Sequence, residues 1–85
     1  MSYNVEFRPA AAREFRKLPR DVQRRIATAL NNLSEEPRPS GVRKLAGSEG
    51  LYRVRIGDYR VVYSIRDKLL LIVILRVRHR SDAYQ

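Results

Sequence analysis

Arg53, Arg55 and Arg60 lie close together in the stretch Leu51-Tyr52-Arg53-Val54-Arg55-Ile56-Gly57-Asp58-Tyr59-Arg60-Val61-Val62-Tyr63, and Arg78, His79, Arg80 and Tyr84 gather near the end of the chain. These residue types fit phosphate chemistry. A guanidinium grips a phosphate through paired N–H···O bonds, and a fixed guanidinium also stabilises the extra negative charge of a pentacoordinate phosphorus. His79 is the only histidine, and an imidazole can exchange a proton near neutral pH. The positive charges of Arg78 and Arg80 beside it favour the neutral ring, which can accept a proton. Tyr84, so near the terminus that no core needs it, is suited to stacking on a base or to hydrogen bonding with a reacting oxygen.

The spacing around Arg53 predicts a β-hairpin. Apolar and charged residues alternate, and Gly57-Asp58 provides a two-residue turn. That turn pairs Ile56 with Tyr59, Arg55 with Arg60, Val54 with Val61 and Arg53 with Val62. Tyr52, Val54, Ile56, Tyr59, Val61 and Tyr63 then share a core face. Arg53, Arg55 and Arg60 share the other, about 5–8 Å apart at Cβ. Like charges set opposite one another destabilise a sheet, and no carboxylate on this face offsets them. A polyanion is the natural counterpart.

The whole composition agrees. Eighty-five residues allow one domain, spanning residues 1–85, with a single modest core. Lys plus Arg is 18 against 9 for Asp plus Glu, a formal net charge of +9 that suits nucleic acid or an acidic protein. With no cysteine there is neither a disulfide framework nor a thiolate metal site. The acidic residues are dispersed, with no pair on one strand face, so a carboxylate-bound metal or a two-carboxylate glycosidase is not expected. A Gly-rich phosphate loop ending in Lys-Ser/Thr is also missing. No metal or cofactor is expected. The longest apolar run, Leu69 to Leu75, falls far short of the roughly 20 residues a membrane span needs. Met1 to Phe15 lacks the apolar region of a signal peptide, so a soluble cytoplasmic domain without membrane contact is expected.

Other elements must carry these residues. Ser2 to Arg8 alternates as a first strand, and Pro9 opens a helix over Ala10 to Leu18 with Ala11, Phe15 and Leu18 on one face. Pro19 restarts the chain into Arg20 to Glu36, where Val22, Ile26, Ala29, Leu30 and Leu33 form a single stripe. Pro37 to about Glu49 is expected as a loop. After the hairpin, Asp67-Lys68 turns into Leu69 to Arg78, apolar enough to suggest a central strand buried on both faces. Strict alternation would send Arg76 and Arg78 to the helix side, so a bulge or an early strand end is expected near Val77. Ser81 is placed to cap a last helical turn that carries Tyr84. The order β-α-α-β-β-β gives an α+β fold: a mainly antiparallel four-stranded sheet with a two-helix hairpin on one face and the arginines on the other.

These segments together resemble a known family. Lys44-Leu45-x-Gly47, Leu51 to Arg55, Asp58 to Tyr63 and Arg78-His79-Arg80-Ser81-Asp82-Ala83-Tyr84, with Arg8-Pro9-Ala10 and Leu18-Pro19, are similar to the RelE branch of the RelE/ParE toxin superfamily. The resemblance covers nearly the whole chain. It implies the toxin of a toxin–antitoxin pair, an mRNA interferase that enters the ribosomal A site and cuts mRNA without a metal. The 2′-hydroxyl of the message attacks the adjacent phosphate, leaving a cyclic phosphate and a free 5′-hydroxyl. By position, the family's site residues fall on Arg53, Arg55, Arg60, Arg78 and Tyr84. Arg53, Arg55 and Arg80 are then substrate-binding, while Arg55, Arg60, Arg78, His79 and Tyr84 are candidates for catalysis. The expected partners are the ribosome, mRNA and a RelB-like antitoxin encoded beside the toxin. The first two basic positions are lysine in the best-known members, and an arginine is a poor proton acceptor. That leaves His79, Tyr84 or electrostatics alone for the role. The ParE branch shares the fold and poisons DNA gyrase without chemistry, which is the alternative function.

Overall fold

The computed structural model describes residues 2–45 and 50–81. Strand β1 (Asn4–Phe7) is followed by helices α1 (Pro9–Arg16) and α2 (Arg20–Glu35), then by strands β2 (Arg43–Lys44), β3 (Leu51–Ile56), β4 (Tyr59–Arg66) and β5 (Leu71–His79). The spatial order is β1-β5-β4-β3-β2. β1 runs parallel to β5, and every other pairing is antiparallel.

The helical layer follows from the sequence. Pro9 occupies the first turn of α1, where its missing N–H has no helical partner to lose. The chain leaves α1 at Lys17 and enters α2 through Pro19. The Gln23 side-chain amide donates to the carbonyls of Phe15 and Leu18, both at 3.1 Å, and so ties the end of one helix to the start of the next. Ile26, Leu30 and Leu33 are buried on α2 and Ala11 on α1. They pack on Val61, Tyr63, Ile65, Ile72, Ile74 and Val77 of β4 and β5, the expected core side of the sheet.

The structure corrects four expectations. First, the sheet has five strands, not four, because Arg43–Lys44 leaves the expected loop to pair with β3. The outer edge of β3 would otherwise present unpaired backbone groups. Second, the strand most buried on both faces is β4, with Arg60, Val61, Tyr63, Ser64 and Ile65 all buried. β5 instead alternates, burying Ile72, Ile74 and Val77 while Leu71, Val73 and Leu75 stay half-exposed. Position decides this: β4 is the middle strand, flanked by two on each side. Third, a 3₁₀ turn over Asp67–Leu69 delays the start of β5 to Leu71, and Leu70 takes a left-handed conformation at φ 49°. Fourth, the bulge falls earlier than Val77. Val62 pairs with Arg76 and Tyr63 with Ile74, so Leu75 is the extra residue. Beyond it, Val77 returns to the core while Arg76 and Arg78 take the register of the arginine face.

The lower end of the sheet is clamped by a polar cluster. Arg38 donates two hydrogen bonds to Asp67 at 2.9 and 3.2 Å and one through Nε to the Tyr52 hydroxyl at 3.1 Å. Tyr3 donates to Asp67 at 2.7 Å, and Tyr63 donates to the Pro37 carbonyl at 2.8 Å. Arg38 and Tyr3 hold the Asp67 carboxyl below its ordinary value. Burial, the largest cause, pushes the Tyr63 hydroxyl up to about 12.

Candidate nucleic-acid interface

The hairpin register places the arginines as its turn requires. Gly57 adopts φ 59°, Asp58 does not share the positive φ, and Arg55 pairs with Arg60 while Arg53 pairs with Val62. Because the bulge resets the phase of β5, Arg60 also pairs with Arg78. Arg55, Arg60 and Arg78 therefore form one cross-strand row on the face opposite the helices. A second row beside it runs Arg43, Arg53, Val62, Arg76. Adjacent strands lie about 4.8 Å apart, so each row holds neighbouring guanidiniums within reach of a single phosphodiester segment.

Burial grades these side chains. Arg60 is only 8 % exposed, whereas Arg55 and Arg43 at the rim are exposed. Arg53 and Arg78 are intermediate. A cleft of 380 Å³ is lined by Gly41, Arg43, Arg53, Arg55 and Arg60. A second, of 220 Å³, adjoins it and shares Arg53 and Arg60. A buried charge interacts more strongly with a ligand charge than an exposed one, which makes Arg60 the electrostatic centre of the face.

Among the described residues, the Glu14 carboxylate reaches this system from the helical layer. Glu14 accepts from Arg76 through Nη2 at 2.8 Å and Nε at 3.2 Å, from Arg78 Nε at 3.3 Å, and from the Val77 backbone N–H at 2.8 Å. β1 stops pairing at Ile74, so the next part of β5 has a free edge. Glu14 covers that edge and holds two arginines at once. The sequence carried a signal for it: Glu14 sits inside the α1 stripe of Ala11, Phe15 and Leu18, where a charge needs a partner.

Of the remaining candidates, His79 shares a cleft with Arg78 but not with Arg55 or Arg60. His79 pairs with Tyr59 and meets its ring edge-on, 5.2 Å between centroids, on the helix side of the sheet. Its Nδ1 accepts from the Ser81 N–H at 3.2 Å and lies 2.9 Å from the Ser81 hydroxyl. His79 borders a cleft of 500 Å³ together with Glu14, Leu18, Tyr59, Val77 and Arg78, and this cleft does not include Arg55 or Arg60. Arg80 is exposed beyond the strand end, its N–H bonded to the Asp58 carbonyl at 2.7 Å. Tyr84 and the expected last helical turn lie outside the described residues. Arg43 and Arg76 join the face although sequence reasoning had not assigned them to it. Among the described residues no group of three or more His, Cys, Asp or Glu comes together in a way that could hold a metal ion.

A two-helix layer on one side of a five-stranded sheet and rows of guanidiniums on the other define a small α+β domain with an open basic face. The family model described as the ParE toxin of the type II toxin–antitoxin system parDE matches residues 5–84. The toxin RelG of Mycobacterium tuberculosis is 40 % identical, with the alignment covering 100 % of this chain and 99 % of that protein. The mRNA interferase toxin RelE of Escherichia coli K12 is 31 % identical over 99 % of this chain and 92 % of that one. Among solved structures, the archaeal RelE–RelB complex of Pyrococcus horikoshii superposes with a TM-score of 0.83 at 36 % identity, covering 94 % of this chain and 97 % of the other. The chain belongs to the RelE/ParE toxin superfamily, on its RelE branch, and is the toxin of a toxin–antitoxin pair. No helix among the described residues is long and apolar enough to cross a membrane.

Proposed function

We propose that this toxin is a ribosome-dependent endoribonuclease that acts in the cytoplasm and cuts mRNA in the A site. The observation that carries the reading is the row Arg55–Arg60–Arg78, three guanidiniums in register on one open face with Arg60 sunk at its centre. In the proposed reaction the 2′-hydroxyl oxygen of the RNA bonds to the adjacent phosphorus and the bond to the 5′-oxygen breaks. The products are a cyclic phosphate and a 5′-hydroxyl. Arg60 and Arg78 stabilise the charge that builds on the non-bridging oxygens, an interaction strongest in the transition state. Arg53 and Arg55 grip the backbone phosphates, with Arg80 at the margin. The described arginine face holds guanidiniums and no imidazole or amine, so the 2′-hydroxyl proton leaves to Tyr84 or to solvent, and the departing 5′-oxygen takes up a proton from solvent to become the 5′-hydroxyl. The names of the relatives support this assignment, since RelE of E. coli is described as an mRNA interferase.

RelE relatives have been solved in complex with RelB antitoxins, in E. coli and in P. horikoshii. A RelB-like antitoxin with an acidic or amphipathic segment is the corresponding partner here, and the net charge of +9 fits it. Co-expression of the neighbouring small open reading frame is expected to rescue growth.

The decisive experiment adds purified protein to a translating extract and maps new mRNA 5′ ends, with gyrase supercoiling measured in parallel. Cleavage in the A site that falls about 10²- to 10³-fold on Arg60→Ala or Arg78→Ala supports the nuclease. Gyrase inhibition without new 5′ ends would replace it with the ParE-type reading. A chelator selective for transition metals is expected to leave cleavage intact while ribosomal magnesium is maintained.

A further inference from the structure

The two clefts of the open face differ in chemistry. The larger is built from the backbone at Gly41 and the guanidiniums of Arg43, Arg53, Arg55 and Arg60. The smaller contains Leu45 and Val62 among Arg53, Arg60, Arg76 and Arg78. Val62 interrupts the row Arg43, Arg53, Val62, Arg76 at its centre, on the middle strand of the sheet. It remains partly accessible there, and Leu45 is partly accessible beside it. Four arginines, Arg76 and Arg78 among them already held by Glu14, surround two aliphatic side chains and match a ligand that is anionic at its edge and apolar in its middle. A nucleotide has that character: phosphate outside, base within. Arginine planes also stack on bases, which is a common way to hold a splayed-out base in single-stranded RNA.

We infer that the smaller cleft receives the nucleobase next to the cleaved phosphate, with Leu45 and Val62 as specificity-determining residues. Arg53 and Arg60, shared by both clefts, mark the boundary between base and backbone. The larger cleft then takes the neighbouring phosphate, with Arg43 as an added grip. This rests on the nuclease reading for its biological setting, but base recognition has its own test.

That test has two arms. In the first, methyl signals of Leu45 and Val62 are followed by NMR as a short ribo-oligonucleotide is added, then the same oligonucleotide lacking the base at one position. The expected result is that the intact RNA moves both methyl sets and that one abasic position abolishes the shift. Equal shifts with every abasic oligonucleotide, or none with intact RNA, would overturn the inference whether or not the protein cleaves. In the second arm, single-turnover cleavage is measured on ribosomes programmed with each of the four bases at each codon position. Val62→Thr keeps the shape and adds a hydroxyl, while Leu45→Ala removes the other wall. Each is expected to change the relative rates among the four bases by about 10-fold or more at one codon position and to leave the others alone. Arg43→Ala, the control, is expected to slow all sequences alike and to lower the salt dependence of RNA binding by about one phosphate contact. A uniform loss at every base in Val62→Thr and Leu45→Ala, with thermal stability retained, would reduce both residues to scaffold. If wild-type protein fails to cleave while the methyl shifts appear, the nuclease reading fails and the base site stands.

Discussion

Replacing Glu14 tests how the helical layer supports the arginine face. In Glu14→Ala the Val77 N–H loses its acceptor at a residue only 2 % exposed, and leaving a buried donor unpaired costs about 1–3 kcal/mol. The pairs with Arg76 and Arg78 are partly open to solvent, with side chains 43 and 37 % exposed against 24 % for Glu14. Screening limits them to roughly 1 kcal/mol together. The expected loss is therefore about 2–4 kcal/mol, which for a domain of this size lowers the melting temperature by roughly 10–25 °C. Glu14→Gln keeps an amide oxygen for Val77 and gives up only the charge, so its loss is expected near 1 kcal/mol. Urea denaturation at 25 °C followed by circular dichroism, with thermal scans alongside, gives both numbers. A loss below about 0.5 kcal/mol in Glu14→Ala, or a Gln variant as unstable as the Ala variant, would refute the edge-covering role.

Gly57→Ala is expected to destabilise by about 1–2 kcal/mol, because φ 59° strains any residue with a Cβ; equilibrium unfolding reads it. The flexible Arg25 tip 3.3 Å from the added carbon can move aside, so the cost is conformational. Tyr63→Phe removes the hydrogen bond to the Pro37 carbonyl and is expected to cost about 1 kcal/mol in the same assay. The raised Tyr63 value means its contribution is complete below the ordinary 10.0 and is lost as pH climbs through about 12; the Phe variant loses that alkaline dependence. Asp67 has the opposite sign. Its carboxyl is held below 3.8, so its stabilisation is present above that value and disappears as pH falls through the lower folded one. Asp67→Asn is expected to flatten that acid limb in a pH series of melting temperatures.

Local signals made much of this molecule legible. The hairpin register followed from Gly57-Asp58 and alternation alone, and it fixed Arg55 opposite Arg60. The α2 stripe was equally plain, since Ile26, Leu30 and Leu33 all became core. What failed depended on partners distant in sequence. Arg43–Lys44 is too short to show a period of its own and lies among prolines and glycines; it becomes a strand only because β3 offers an edge. Glu14 meets Arg76 and Arg78 across more than sixty residues, a contact that no local pattern encodes. His79 follows Arg78 directly, and neighbours along a strand point to opposite faces. The pleat therefore turns His79 away from the arginine row, although His79 and Arg78 both border the cleft beside Leu18 and Tyr59. The Arg55–Arg60 pair was visible from the turn, whereas Arg78 needed the bulge to bring it into the row.

The extra residue at Leu75 has a consequence for how this protein can vary. Regular pairing through position 75 would set Leu75 opposite Val62 and carry Arg76 to the core side, whereas the observed pairing lets one residue drop out of the count. The slack sits just past the last residue paired to β1, where only one side of β5 is engaged in the sheet. Removing Leu75 would leave Ile74, Arg76, Val77 and Arg78 alternating in an ordinary ladder, with every side chain on the face it already uses. Length and phase are thus uncoupled at this one joint. Loss of one residue here is tolerable, while the same change at Val77 would push an arginine into the packed interior. Deletion scanning along β5 is expected to find a single permissive position there, and natural changes in strand length have one place to accumulate without disturbing the basic rows.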